Sequence, residues 1–397
     1  MRKPKPGELG SASGPKGLQG PGPGARNGTA ADSLQMDLSQ TQPARRELQR
    51  ISRILLIRLR SLGDAILTLP LVEALHAWRP ELQLDILIEA PFVPVFSNHP
   101  AVHEVLSVRR RDGLETPGWP RYRAAIEIWR RRYPAVLNLH GGTTSILFTC
   151  AAGAKLRIGQ KSHRGSRLYN ARIPPSTTLW RRSSIHTAEH QLGLMRWLEI
   201  PMPEKITGTI HINKSSDSRI RERLEGAGIG NYIVIQPTAT LATKQWSAAK
   251  FAELGDRLFR QHHVPVLYTA GFREAEVLKE VRRNARERHL YWSDLPLAEL
   301  FALIRGCLFF IGNDSGPTHA AAAMGKPILV IWGSSNFDAW HPWGTDYEAV
   351  RSEFPCMPCP GYRCGAFDQP RCILDITVQQ VFEASGRLIA RHPAVFT

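Results

Sequence analysis

Three short stretches of this sequence place reactive side chains directly behind apolar runs, and a fourth gathers four thiols. The first is Arg58-Leu59-Arg60-Ser61-Leu62-Gly63-Asp64, immediately after the run at 54–57. Gly63 permits a tight turn or a close backbone approach. Two roles are open to Asp64 at the start of the following helix. It can cap that helix, or it can act as a general base if a cleft holds it against an attacking hydroxyl. Arg58 and Arg60 place positive charge beside it, suited to an anionic acceptor. The loop has one glycine, so it does not carry the Gly-x-Gly-x-x-Gly dinucleotide pattern.

The second stretch, 237–246, follows the run YIVIQ and contains Thr238, Thr240, Thr243 and Lys244. Hydroxyls beside a point positive charge suit a phosphate; an exposed loop with an ordinary lysine is the other reading. The third, Gly312-Asn313-Asp314-Ser315-Gly316-Pro317-Thr318-His319, is the most informative. Asn313, Asp314 or Ser315 can cap a helix, and Pro317 suits its first turn. Free N–H groups there would make an anion site, with His319 one turn in. A plain well-capped helix is the alternative. The fourth is Cys356, Cys359, Cys364 and Cys372. Four cysteines this close can hold a structural metal or remain reduced thiols, and no catalytic role is assigned to them. The two remaining cysteines, Cys150 and Cys307, lie in apolar stretches and are expected to be buried.

These residues need a frame, and the pattern supplies one. Strand-like runs at 54–57, 84–89 and 135–139 alternate with helical patterns. A second series follows, with strands at 232–236, 264–268, 308–311 and 327–332 and helices at 248–261, 274–283, 297–305 and 317–324. Such alternation implies parallel βαβ units. A chain of 397 residues is long enough for two such domains. The expected organisation is a basic Gly/Pro-rich disordered tail at 1–49, an α/β domain at 50–205, a second at 206–376 containing the cysteine loop 356–372, and a C-terminal helix at 377–397. A stretch from 65 to 78 reads as one helix, and 201–231 as holding a linker.

The sequence has 51 Lys and Arg against 35 Asp and Glu, a net charge of +16. That surplus favours anionic partners without choosing among nucleic acid, lipid headgroups and phosphorylated glycolipids. No apolar run is long enough to span a bilayer and no secretory signal pattern is present. The expected location is the cytoplasm.

Taken in order, ILLIRLRSLGDAILTLPLVEAL, Thr243-Lys244-Gln245-Trp246 with the following Phe251-Ala252-Glu253-Leu254, and GNDSGPTHAAAAMGKPILVIWG resemble the lipopolysaccharide heptosyltransferases, glycosyltransferase family 9. The resemblance covers about 53–376. It implies a GT-B fold, two Rossmann-like domains facing across a cleft, with acceptor on the first and nucleotide sugar on the second. It implies inverting transfer of heptose from ADP-heptose to a phosphorylated, lipid-linked inner-core saccharide, without a catalytic metal or other cofactor, and with such an acceptor a loose attachment to the inner face of the inner membrane. Carried over by motif, Asp64 is the catalytic base and Lys244 neutralises the donor phosphates. Asp314 contacts the donor sugar, and Ser315, Gly316 and His319 lie beside the diphosphate. Glu274, or else Glu276, supplies a carboxylate for the ribose. Arg58, Arg60 and Gly63 fall on the acceptor side, and Thr238 and Thr240 on the donor side. The chain departs from the family pattern in its long leading segment, at Thr269-Ala270-Gly271 and at Asn138-Leu139-His140. Other readings are a transferase or epimerase of the same fold using another nucleotide sugar, a non-catalytic relative, and a basic nucleic-acid-binding protein. No basic-aromatic repeat supports the last.

Overall fold

A computed structural model of the protein describes residues 38–109, 119–359 and 362–393. The strands form two six-stranded sheets, parallel throughout. The first contains β1 (Arg53–Ile57), β2 (Gln83–Glu89), β3 (Val102–Val108), β4 (Ala135–Asn138), β5 (Leu156–Gln160) and β6 (Ala171–Ile173), in the order β3-β2-β1-β4-β5-β6. The second contains β7 (Ile233–Gln236), β8 (Val266–Thr269), β9 (Leu290–Trp292), β10 (Phe310–Asn313), β11 (Ile328–Trp332) and β12 (Tyr347–Arg351). Its order, β12-β11-β10-β7-β8-β9, repeats the first when counted from its own first strand. Both are doubly wound sheets, and two of them in one chain give the two-domain Rossmann-like architecture of the GT-B fold.

Strands covered on both faces read as unbroken apolar runs. The run 54–57 in β1 and all of β4, β7, β10 and β11 are buried. Edge strands bury less. β3 exposes His103 and β12 Arg351, with most of their other residues only half-buried, and β6 and β9 have three residues each. All four edge strands, with β5, lie outside the strands expected from sequence.

Four expectations change. The segment assigned to a tail through residue 49 contains a helix, Leu38–Arg50. Thr41, Ala44, Leu48 and Ile51 recur at helical spacing and are buried, an apolar face hidden in a Gln- and Arg-rich sequence; residues 1–37 lie outside the described ones. The stretch 65–78 is two helices, Leu62–Ile66 and Leu69–Trp78. Pro70 can occupy only a first turn, because it has no N–H to give. The region 201–231 holds a helix, Lys214–Gly226, capped by Asn213 through Ser216 N at 2.7 Å. The actual connection is shorter and fastened: the Glu73 carboxylate accepts from Gly208 N (3.1 Å) and Thr209 N (2.6 Å), and Trp343 Nε1 donates to the Ile206 carbonyl at 3.0 Å. Cys307 is buried as expected and its thiol is pushed up to about 12 by burial. Cys150 is exposed, because it lies with Leu147 on the outward face of helix Thr143–Ala151. At the other end, Thr377 caps the helix Val378–Arg391, and Arg391 pairs with Asp346 and Glu348 of the second sheet's edge.

Asp85 anchors the first sheet at the edge opposite the loops described below. It is fully buried and accepts from Arg53 Nε (2.8 Å) and Tyr133 Oη (2.6 Å), with His103 Nδ1 at 2.9 Å. Removing one member of a buried charged network strands the others, at a cost of about 3–5 kcal/mol. Asp85→Ala is therefore expected to lower unfolding free energy by about that amount in urea titration. A loss of under about 1 kcal/mol would show the network to be dispensable.

Candidate functional site

In an open parallel sheet, ligands bind beyond the carboxyl ends of the strands where the connections switch faces. The first sheet switches between β1 and β4, the second between β7 and β10. The loops leaving these four strands carry Asp64, His140, Thr238 and Asp314. The two switch points face each other, because helix Leu62–Ile66 packs on helix Gly316–Ala323. The approach is close. A Cβ on Gly63 would stand 2.8 Å from His319 Cδ2, and one on Gly316 would stand 2.7 Å from Leu62 Cδ2. Both glycines are thus required by contact between the lobes, not by backbone angle.

On the first lobe, Asp64 occupies the third position of its helix. Its Oδ2 accepts from Ser61 N and Ser61 Oγ, both at 3.1 Å, and its Oδ1 accepts from Arg58. The cap and the ion pair coexist, and the side chain stays one-quarter exposed. A carboxylate has about four lone-pair sites, so these bonds hold Asp64 in place and leave acceptor capacity toward the cleft. Arg58 is buried. Desolvation lowers its pKa to about 10, and it also donates to the Leu139 carbonyl. Its geometry is that of a group orienting Asp64, whereas Arg60 is exposed.

Sequence reading missed three histidines on this side. His140 follows β4. His163 abuts Gly141, where a Cβ would stand 2.5 Å from the ring. His190 Nδ1 lies 2.6 Å from Ser176 Oγ. Burial, then the charges of Arg58 and Arg60, lower His140 to about 4. Burial, then His190 and Arg58, lower His163 to about 4. Burial and Arg58 also lower His190. The first-lobe wall is therefore a set of neutral imidazoles around one buried guanidinium. The only signal in the sequence was Asn138-Leu139-His140 at the end of a strand.

On the second lobe, Lys244 Nζ donates to Asp314 Oδ2 at 2.7 Å, and Ser335 donates to the same oxygen. Asp314 is nearly buried and Lys244 is about one-fifth exposed. His319 is buried, with Nε2 3.8 Å from Asp314 Oδ1 and Nδ1 without a hydrogen-bond partner. Burial lowers its pKa, favouring neutral imidazole. The helix Gly316–Ala323 offers fewer donors than its sequence suggests. Pro317 has no N–H, and those of Thr318 (3.2 Å) and His319 (3.3 Å) donate to the Ser315 carbonyl. Ser315 and Gly316 remain at the mouth. Of the three possible caps, Ser315 sits at that position without bonding back, its hydroxyl donating to Gln236 Oε1 at 3.1 Å. Asn313 is turned inward to Trp246 N and the Pro237 carbonyl.

A cavity of about 280 Å³ opens beside this helix. Thr238, Thr240, Glu274, Ser315 and Gly316 line one part, and Leu295, Leu297 and Leu300 another, with Leu62 reaching in from the first lobe. Glu274 Oε2 accepts from Thr238 Oγ1 at 2.7 Å and Gly271 N at 3.2 Å, which fixes the carboxylate on the wall. Glu276 pairs with Lys279 and is exposed, outside the cavity. Thr243 is buried and faces Ser334. Among the described residues, the group of three or more candidate ligands whose ligand atoms lie within 4.8 Å of one another is Asp85, His103 and Glu104, already joined to Arg53 and Arg131. Burial, then the neighbouring thiols, raise the Cys372 pKa. No helix among the described residues is long and apolar enough to cross a membrane.

The model of glycosyltransferase family 9 (heptosyltransferase) matches residues 121–366. Lipopolysaccharide heptosyltransferase 3 of Escherichia coli is 26% identical over 298 residues, 72% of this chain and 84% of that protein. Lipopolysaccharide heptosyltransferase 1 of Pseudomonas aeruginosa is 27% identical over 326 residues, 79% and 87%. Among solved structures, a family 9 glycosyl transferase from Veillonella parvula superposes with a TM-score of 0.73 at 21% identity, covering 86% of this chain and 98% of that one.

Two outcomes are expected from this site. Gly316→Ala must displace Leu62 and part the lobes, so kcat/KM should fall by roughly tenfold or more, about 1.4 kcal/mol of transition-state stabilisation. Unchanged kinetics would separate the interlobe contact from catalysis. His140 and His163 titrate near 4 in the folded protein against an ordinary value of 6.5. Between those values the unfolded chain binds protons that the folded one refuses, so their stabilisation is complete above about 6.5 and is lost as pH falls toward 4. Thermal unfolding across that window should show Tm falling with pH, and His140→Gln with His163→Gln should flatten the slope.

Proposed function

The chain belongs to glycosyltransferase family 9, and from that premise we propose that it moves a heptose from ADP-heptose to a phosphorylated, lipid-linked lipopolysaccharide inner-core acceptor with inversion at the sugar carbon. The observation that carries the reading is the meeting of Gly63-Asp64 with His319, Asp314 and Lys244 across one cleft. Relatives that are lipopolysaccharide heptosyltransferases, and a structurally similar E. coli heptosyltransferase solved with ADP, support the choice of sugar and nucleotide.

The diphosphate lies against Lys244 and the N–H groups of Ser315 and Gly316. The nucleoside fills the cavity, ribose toward Glu274 and base toward Leu295, Leu297 and Leu300. The acceptor stands on the first lobe, its anionic group toward Arg60. Its hydroxyl oxygen attacks the anomeric carbon from the face opposite the diphosphate. The carbon–oxygen bond to the β-phosphate breaks as the new one forms, the electron pair leaves with ADP, and the hydroxyl proton passes to Asp64. Charge grows on the leaving phosphate, so groups already aimed there stabilise the transition state more than the bound donor. Arg58 and Ser61 hold Asp64 for the transfer. Because a sugar hydroxyl is a much weaker acid than a carboxyl group, proton transfer and bond formation occur together.

Asp64→Ala is expected to lower kcat by roughly a hundredfold or more with donor affinity preserved. Lys244→Ala should weaken both. Turnover of ADP-heptose with calorimetric ADP titration separates the two; full activity of Asp64→Ala would remove it as the base.

A further inference from the structure

The positive charge of this chain is concentrated. Residues 119–188 contain thirteen Lys and Arg and one acidic residue, Glu127, so they supply twelve of the sixteen net charges. That one carboxylate is taken by Arg131, which also takes Glu104 of β3. Arg123 and Arg130 are exposed and have no ion-pair partner among the described residues.

The same region holds most of the large exposed apolar side chains. Of the eight among the described residues, five are Tyr122, Ile126, Trp129, Leu147 and Leu168. The helix Arg121–Arg130 buries Ala124 and Ile128 against the first sheet. Positions 122, 126 and 129 are four and three residues apart, so they form one stripe on its outer face. Tyr122 is 72% exposed and Trp129 61%. Arg123 and Arg130, seven apart, lie together along one side of that stripe. The neighbouring helix Thr143–Ala151 packs alongside and adds Leu147, 63% exposed. The loop carrying Leu168 lies against its Ile146, which would meet a Cβ on Gly165 at 2.5 Å.

An apolar stripe with an aromatic at each end and a cationic row along one side is the pattern of a helix lying in a bilayer interface, with Trp and Tyr at headgroup level. We propose that the face built from these two helices docks the protein on an anionic lipid bilayer. Charge complementarity selects that occupant. A symmetric contact with a second copy would set this surface against itself, cation against cation. The face also lies beside the catalytic edge. Arg121 Nη1 donates to Thr144 Oγ1 at 3.3 Å, so both helices begin at the end of β4 that carries His140. Docked this way, the acceptor side of the cleft opens next to the membrane. The purpose of the surface rests on the lipid-linked acceptor proposed above; the surface itself rests on exposure and charge alone.

The test is flotation of the full chain with vesicles of phosphatidylethanolamine and phosphatidylglycerol, and with phosphatidylcholine vesicles. Wild type should float with the acidic vesicles, weaken as salt rises, and bind phosphatidylcholine poorly. Ile126→Ser with Trp129→Ser, and separately Arg123→Glu with Arg130→Glu, should each lower the partition coefficient roughly tenfold or more. Thermal unfolding should be unchanged, since all four side chains are exposed. ADP binding should also be unchanged, so a failure here is distinct from failure of the donor site. Wild-type-like partition of both variants, no flotation of the wild type, or a dimer in light scattering that the serine pair dissolves would each overturn the proposal.

Discussion

The site depends on one close contact, the seating of the Leu62–Ile66 helix against the Gly316–Ala323 helix. Asp64, Asp314, Ser315 and His319 all lie on these two helices or within two residues of them. Gly63 lets the first lobe reach His319, and Gly316 lets the second reach Leu62. Asp64 is fixed by its own cap and by Arg58, and Asp314 by Lys244 and Ser335. Each lobe thus prepares its carboxylate independently, and the contact brings the two preparations together. Larger residues at either glycine would keep both halves intact and still separate them.

The electrostatics of the two lobes differ in a way that suits two different ligands. The second lobe neutralises its own charge: Lys244 and Asp314 form a pair at a helix mouth where only two backbone donors remain open. A diphosphate arriving there meets a cation already positioned, with little rearrangement to make. The first lobe also pairs its buried cation, and its unpaired charge lies on the surface. Arg58 is buried with a single carboxylate, three imidazoles around it are held neutral, and a broad cationic surface lies outside. In the reaction proposed above, the first arrangement takes the diphosphate and the second faces the large anionic acceptor.

How much of this was legible follows from burial. Interior strands are apolar on both faces, and their runs gave seven of the eight; β5, LRIGQ, is interrupted by Arg157 and Gly159 and did not register. The four edge strands have no such run, since one side of each meets solvent or a loop. The loops at the strand ends were legible because Gly63, Gly316 and Pro317 have few other uses beside an acidic residue. What the sequence concealed was pairing. Arg58 reads as a substrate-facing cation until its burial shows it spent on Asp64, and Thr243 reads as a phosphate hydroxyl until it is found against Ser334. His163 joined the site from a distant turn and His190 from the helix Thr187–Trp197, which no local pattern connects.

The most direct test of a nucleotide-sugar site on the second lobe is calorimetric titration of the wild-type protein with ADP, UDP and GDP in turn. Saturable binding of ADP, with UDP and GDP at least tenfold weaker, is the predicted result. Selective binding of UDP or GDP would contradict the donor assigned to this cleft, and the absence of binding by all three would contradict the site itself.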